Sequence, residues 1–308
     1  MTLINENSKG VYVIGATPFR DDLSLDVDGI GKLTEHYIEH GATGFTVLGM
    51  MGEAPKLSTS ESRTVVEGYI KAARDLPVVV GVSAAGFSAM SELTKSVMDM
   101  GAAGVMIAPP NTLRTDDQII SYYQMAGETL GKDVPIVLQD FPLSTSVQIS
   151  VGALKKIIET VPSIKMLKHE DWPGLAKILA LRAAEAAGQR RISILCGNAG
   201  VFLAEEMERG ADGAMTGFAY IEMMRDVVKY AGAGDMDRAM DIFDAYLPLV
   251  RYEQQPGLGL AVRKYVLKKR GAIASDAIRR PGPKLSPADI VDVERLIARQ
   301  TKRLEEIA

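Results

Sequence analysis

The segment "GAAGVMIAPP", residues 101–110, joins two kinds of structure within ten residues. Gly101 follows an amphipathic stretch and supplies the left-handed residue that closes a helix, and the small alanines let that helix pack tightly against what comes next. The run "GVMI" then carries no polar residue on either face, before Pro109 and Pro110 end it. A strand that is apolar on both faces must be covered on both faces, which is the signature of a parallel sheet flanked by helices.

The same joint recurs. "GATG" at 41–44 and "GADG" at 210–213 also sit between a helical pattern and a short apolar run. Comparable runs fall at 11–19, 44–49, 76–82, 104–110, 134–140, 164–170, 192–197 and 213–217. The segments between them have helical periodicity and start on capping signals, as in "STSES" at 58–62 and "TDDQ" at 115–118. About eight β/α units therefore fill residues 11–233. Eight such units predict a (β/α)8 TIM barrel, with an open doubly wound sheet as the alternative. From residue 234 the alternation gives way to helical pattern alone, so the predicted division is a barrel over 1–233 and a C-terminal helical extension over 234–308. The basic run "RKYVLKKRG" in that extension reads as a solvated or subunit-facing surface.

Composition narrows the function. Hydrophobic residues make up 47% of the 308, and the net charge is −4, which gives no basic footprint for nucleic acid. No apolar stretch approaches the roughly 20 residues that span a bilayer, so no membrane partner is expected. A single cysteine, Cys196, and a polar start without a signal peptide predict a cytoplasmic protein. His36 and His40 are spaced four apart but read as solvent-facing residues near a helix C-terminus, and no metal site is predicted. No dinucleotide or Walker fingerprint occurs.

In a barrel the chemistry lies where the strands end. Those ends contribute Thr17, the loop Gly49, Met50, Met51 and Gly52, then Gln139 and Asp140, Lys168 and Glu170, Gly197 and Asn198, and Thr216. Lys168, in "SIKMLKHEDW" (163–172), is the one amine in this set. An apolar mouth disfavours an ammonium ion and frees the amine to attack a carbonyl. Glu170, two residues on, faces the same way as Lys168. Its alternative role is a cap on a helix starting near Trp172. Lys165 has the opposite facing.

Several motifs in order give the chain a resemblance to the dihydrodipicolinate synthase / N-acetylneuraminate lyase family. They are "TPF" at 17–19, the G-x-x-G-E loop at 49–53, "PP" at 109–110, "QDFP" at 139–142, the strand-six lysine and the helical tail. The resemblance implies that Lys168 forms an imine with a 2-oxo acid and needs no other cofactor. It also implies that the Gly49–Gly52 loop binds the substrate carboxylate through backbone N–H groups, and that the protein is a homo-oligomer, a tetramer or a dimer. Glu253, Gln254 and Gln255 would support the site from the extension. Where the family carries two threonines, two tyrosines and an arginine, this chain has Met50 and Met51, Asn111 and Gln139, and Ser144. With "GAMTG" at 213–217 and "YEQQPGLGLAVRKYVLKKRGAI" at 252–273, the chain looks most like the branch that dehydrates 2-keto-3-deoxy sugar acids such as 2-keto-3-deoxy-L-arabonate. In that reading Lys168, Glu170, Gln139 and Asp140 are catalytic. Pyruvate-dependent aldolase or synthase chemistry, a related deamination and non-catalytic binding of a 2-oxo acid are the alternatives.

Overall fold

The computed structural model describes residues 2–308, in which eight parallel strands close into a barrel in chain order. The strands are β1 (Gly10–Ile14), β2 (Gly44–Val47), β3 (Val78–Gly81) and β4 (Gly104–Ile107). They continue with β5 (Ile136–Asp140), β6 (Ile164–His169), β7 (Ser193–Cys196) and β8 (Gly213–Ala214), which pairs back onto β1. The first helices are α1 (Val27–Glu39), α2 (Thr59–Ala73), α3 (Phe87–Asp99) and α4 (Asp116–Leu130). A single turn, α5 (Pro142–Thr145), precedes α6 (Val151–Thr160), α7 (Leu175–Ala186), α8 (Leu203–Glu208) and α9 (Ile221–Gly232). Three further helices follow: α10 (Met236–Glu253), α11 (Gly259–Lys269) and α12 (Pro287–Glu306). The architecture is a (β/α)8 TIM barrel.

Strand sequences without a polar face are explained by two separate apolar layers. Tyr12, Val79, Met106, Val137, Met166, Leu195 and Met215 fill the inside of the barrel, with Ile4 among them. Phe45, Val80, Val105, Leu138, Leu167 and Ile194 instead join the layer between the sheet and the helices. Each strand thus buries alternate residues on opposite sides. The three glycines that close helices before "A-x-G", Gly41, Gly101 and Gly210, all have φ near +100°, where a β-carbon is strained. Both capping signals form: Ser58 with Glu61 and Thr115 with Gln118 exchange side-chain and backbone bonds at the starts of α2 and α4.

One irregularity sets the phase of the sixth strand. Ile136 pairs with Ile164, but Val137 pairs with Met166, leaving Lys165 as an extra residue. Ile164 consequently packs outside the barrel and Met166 inside, although they are two residues apart. Lys165 reaches Glu6 at 3.7 Å, toward the segment that plugs the barrel base. Beyond this bulge the alternation is regular, so Lys168 follows Met166 inward and faces Gln139 across the β5–β6 ladder.

Helix α10 packs along α9, and α12 lies against α10. Among the described residues no helix is long and apolar enough to cross a membrane. His36 and His40 are half-buried rather than solvent-facing, with ring centroids 4.1 Å apart, and burial pushes the His36 imidazole down to about 4.

Candidate active site

Lys168 ends β6 inside the barrel mouth and is only 5% exposed. Its Nζ lies 3.0 Å from Glu170 Oε2. The mouth around the amine is therefore not purely apolar, because the lysine has a carboxylate counter-ion. The same Oε2 accepts a 2.7 Å bond from Gln139 Nε2, the residue level with Lys168 on β5. Glu170 is held from the other side as well: Asn198 Nδ2 donates to its carbonyl at 2.8 Å, and the Asn198 backbone N–H approaches Oε1 at 3.5 Å. A glycine at 197 is what lets the carboxylate sit there. A β-carbon on Gly197 would lie 2.2 Å from Glu170 Cγ, so any larger residue would evict the side chain. Glu170 is not a helix cap: α7 begins at Leu175, after Gly174.

The Gly49–Gly52 loop folds as a 3-10 turn, Met50–Gly52, whose first amides have no intrahelical acceptor and face out of the turn. Thr17 Oγ1 donates to Gly52 O at 2.6 Å and fastens this loop to the end of β1. Glu53 closes the turn with φ of 57° and is itself buried, ion-paired to Lys264 at 2.6 Å and Lys56 at 3.0 Å. Ser144 Oγ meets Met50 Sδ at 3.0 Å, bringing the α5 turn over the same loop. On the opposite wall Asn198 and Ala199 adopt left-handed φ values of 49° and 54°. Thr216 Oγ1 accepts from the Ala199 N–H at 2.7 Å, which leaves its own hydroxyl proton free to donate.

These elements enclose a cavity of about 380 Å³. Of the residues expected from sequence, Met50, Met51, Lys168, Glu170, Asn198 and Thr216 line it. Thr17, Gly49, Gly52 and Gly197 shape its walls, and Gln139 stands behind Glu170. Among the described residues no tyrosine or histidine lines the cavity.

Asp140 does not belong to this group. Being one residue from Gln139, it points to the outer side of the barrel, where Lys177 Nζ binds its Oδ2 at 2.6 Å. Lys177 also binds Asp171 Oδ2 at 2.7 Å and the Ile149 carbonyl at 2.8 Å. Burial raises the Asp140 carboxyl to about 6 despite the ammonium, since one lysine serves two carboxylates. Burial also depresses the neighbouring His169 imidazole to about 4, with Lys177 adding to it. Cys196 faces the same outer layer, where burial, with Glu206 beside it, keeps its thiol protonated.

The extension contributes more than the sequence suggested. Arg263 and Lys264, within the run read as a solvated or subunit-facing surface, are buried within this chain, at 3% and 0% exposure. Arg263 Nε binds Glu253 Oε1 at 2.8 Å, and Lys264 binds Glu53. Gln254 Nε2 approaches Asn198 Oδ1 at 3.3 Å, and Glu253, Gln254, Gln255 and Arg263 all line the cavity. Lys177 was the other omission. It lies in the first turn of α7, where the helix dipole disfavours a cation, and that misplacement is the sequence signal of a carboxylate partner.

Comparison with known proteins gives a consistent picture. The model of the Dihydrodipicolinate synthetase family matches residues 7–300. The chain is 26% identical over 287 residues to the L-2-keto-3-deoxyarabonate dehydratase of Azospirillum brasilense, covering 91% of this chain and 90% of that protein. It is 28% identical over 278 residues to the 4-hydroxy-tetrahydrodipicolinate synthase of Bifidobacterium longum strain NCC 2705, covering 89% of each. The crystal structure of dihydrodipicolinate synthase from Rhodopseudomonas palustris matches with a TM-score of 0.95 and 51% identity, over 97% of this chain and 100% of that one.

Proposed function

Because the chain belongs to the dihydrodipicolinate synthetase family, we propose that it is a lyase that binds a 2-oxo acid as an imine on Lys168 and removes water from a 2-keto-3-deoxy sugar acid. The observation that carries this reading is the triad in the mouth: Lys168 Nζ 3.0 Å from Glu170 Oε2, with Gln139 clamping the same oxygen at 2.7 Å.

The chemistry follows from that contact. Glu170 takes a proton from the ammonium, and the free amine adds to the C2 ketone; Glu170 returns that proton to the carbinolamine hydroxyl, which leaves as water to give the iminium and the Glu170 carboxylate. Carbon 3 is then acidic, and Glu170, held beside the nitrogen, removes a proton to give the enamine. The enamine expels the C4 hydroxyl as water, protonated on departure by the carboxylic acid just formed. Loss of a C5 proton and ketonisation turn the resulting conjugated iminium into a C5 aldehyde, and hydrolysis returns the lysine. The sum is one 2-keto-3-deoxy-pentonate to one 2-oxo semialdehyde and one water. Gln139 has no titratable proton and acts by holding Glu170. The turn amides at Met50 and Met51 receive the C1 carboxylate.

Among the described residues neither a phenol nor an imidazole lines the cavity, so Glu170 is the group placed to act at the C4 hydroxyl, as acid in elimination or as base in carbon–carbon cleavage. Likeness to the Azospirillum dehydratase favours elimination. The synthase reading keeps two observations in its favour, the 51% identity to the Rhodopseudomonas protein and the 28% identity to the Bifidobacterium synthase.

The test is to incubate the protein with 2-keto-3-deoxy-L-arabonate and follow the carbon skeleton, with parallel borohydride trapping and peptide mapping. The expected results are a five-carbon semialdehyde and an adduct on Lys168. Glu170→Gln should still be trapped by pyruvate, more slowly because solvent must take the ammonium proton, yet lose turnover by about 10²- to 10⁴-fold. Pyruvate with glycolaldehyde as products would replace dehydration by cleavage, and a folded protein with no adduct would remove the imine.

A further inference from the structure

The wall of the cavity contributed by the extension contains a cation whose role the proposed chemistry leaves open. Arg263, on α11, is 3% exposed. Its Nε is held by Glu253 Oε1 at 2.8 Å, and Glu253 is in turn 1% exposed on its side chain. The Arg263 Nη1 is buried and has no hydrogen-bond partner among the described residues. An unmade bond from a buried guanidinium is costly, and a site that tolerates it awaits an acceptor.

The location of that nitrogen is defined by a glycine. A β-carbon on Gly217 would fall 1.9 Å from Arg263 Nη1 and 2.4 Å from its Cζ. The guanidinium tip thus takes the place a side chain at 217 would occupy, two residues beyond Met215, which belongs to the barrel interior. Gly217 and Arg263 both line the cavity that holds Lys168. The arginine comes from the helical tail, reaches past the end of β8, and sets its guanidinium against Gly217 in the wall of the substrate space.

We propose that the Arg263 guanidinium hydrogen-bonds a terminal hydroxyl of the substrate and selects a 2-oxo monoacid over a diacid. This rests on the imine reading: once Lys168 holds C2 and the 49–52 turn holds the C1 carboxylate, the far end of the chain is left for the wall built by the extension. The charge balance chooses the partner. Glu253 already neutralises Arg263 within the buried pair, so a second substrate carboxylate would meet an anion along with the cation, whereas a hydroxyl needs only the free N–H. Ion pairing also fixes the guanidinium, so its free N–H is aimed before the substrate arrives.

The experiment measures the concentration giving half-maximal reductive trapping for three ligands. They are pyruvate, which lacks the far end; 2-keto-3-deoxy-L-arabonate; and 4-hydroxy-2-oxoglutarate, whose terminal carbon is a carboxylate. It compares wild type with the double variant Arg263→Gln/Glu253→Gln, which removes both charges together and leaves no lone buried carboxylate. The ratio of the arabonate value to the pyruvate value should rise about 10- to 100-fold in the variant. In wild type the diacid should need at least about tenfold more than the monoacid. A structural role for Arg263 would move all ligands together and leave the ratio unchanged, which would overturn the assignment, as would a diacid trapped as readily as the monoacid. No wild-type adduct with any ligand is a different failure, that of the imine itself, and would take this inference with it.

Discussion

The ends of β5 and β6 carry two buried lysine–carboxylate groups on opposite faces of the same pair of strands. Inside the barrel, Lys168 has one ion-pair partner, Glu170, and faces the cavity. Outside, Lys177 is bound by Asp140, Asp171 and the Ile149 carbonyl, which accounts for all three of its N–H donors. Both lysines are less than a tenth exposed, so burial alone does not separate them. The difference is saturation. A lysine with every donor engaged in a sealed site leaves no room for a carbonyl to approach. One with a single carboxylate, at the edge of an open space, leaves that room.

That contrast predicts that the two lysines fail in different ways. Lys168→Ala should lose turnover by roughly 10⁴-fold or more while remaining folded, because the proposed nucleophile is gone and Glu170 is left facing a cavity that admits water. Loss of the borohydride adduct, measured alongside kcat, checks it; an adduct on another lysine would break the comparison at once. Lys177→Met should instead cost about 3–5 kcal/mol in urea unfolding, since it strands two carboxylates in a sealed site. If Lys177→Met were neutral in stability but inactive, the outer cluster would have to be counted with the chemistry.

How far these roles could be read in advance depends on the distance over which each is determined. The barrel was legible because its evidence is local and repeated: doubly apolar strands, and Gly101-type joints closing helices. Lys168 and Glu170 were legible because an even spacing fixes a common face. The same rule allows only one of Gln139 and Asp140 to point inward, and the string "QD" does not say which. Three-dimensional phase decides it, and that phase also passes through the bulge at Lys165, which no local pattern announces. Arg263 and Lys264 were misjudged for a related reason. A basic run looks solvated until its partners are known, and Lys264 meets Glu53 across 211 residues of chain. Lys177 was overlooked because its helix reads as ordinary amphipathic cover, with Ile178 and Leu181 buried beside it.

The smallest effect should come from the proton on the outer face. Asp140 has a carboxyl raised to about 6 by burial, above its ordinary 3.8. The folded state therefore binds a proton that the unfolded state has already released between these values. Its stabilising contribution is complete below about pH 4 and is lost as pH rises through about 6, amounting to roughly 3 kcal/mol. Asp140→Asn cannot titrate, so the stability difference between wild type and this variant should fall across that interval and level off above it. Lys177 keeps Asp171 as counter-ion in the variant, so Asp140→Asn should unfold far less readily than Lys177→Met. Urea unfolding at a series of pH values gives the first curve, and kcat over the same series gives the second. If the two faces are separate, the kcat profile of Asp140→Asn keeps the wild-type inflections while the stability profile loses one. A displaced inflection in kcat would mean that the charge on Asp140 is felt through the strand by the pair formed by Lys168 and Glu170.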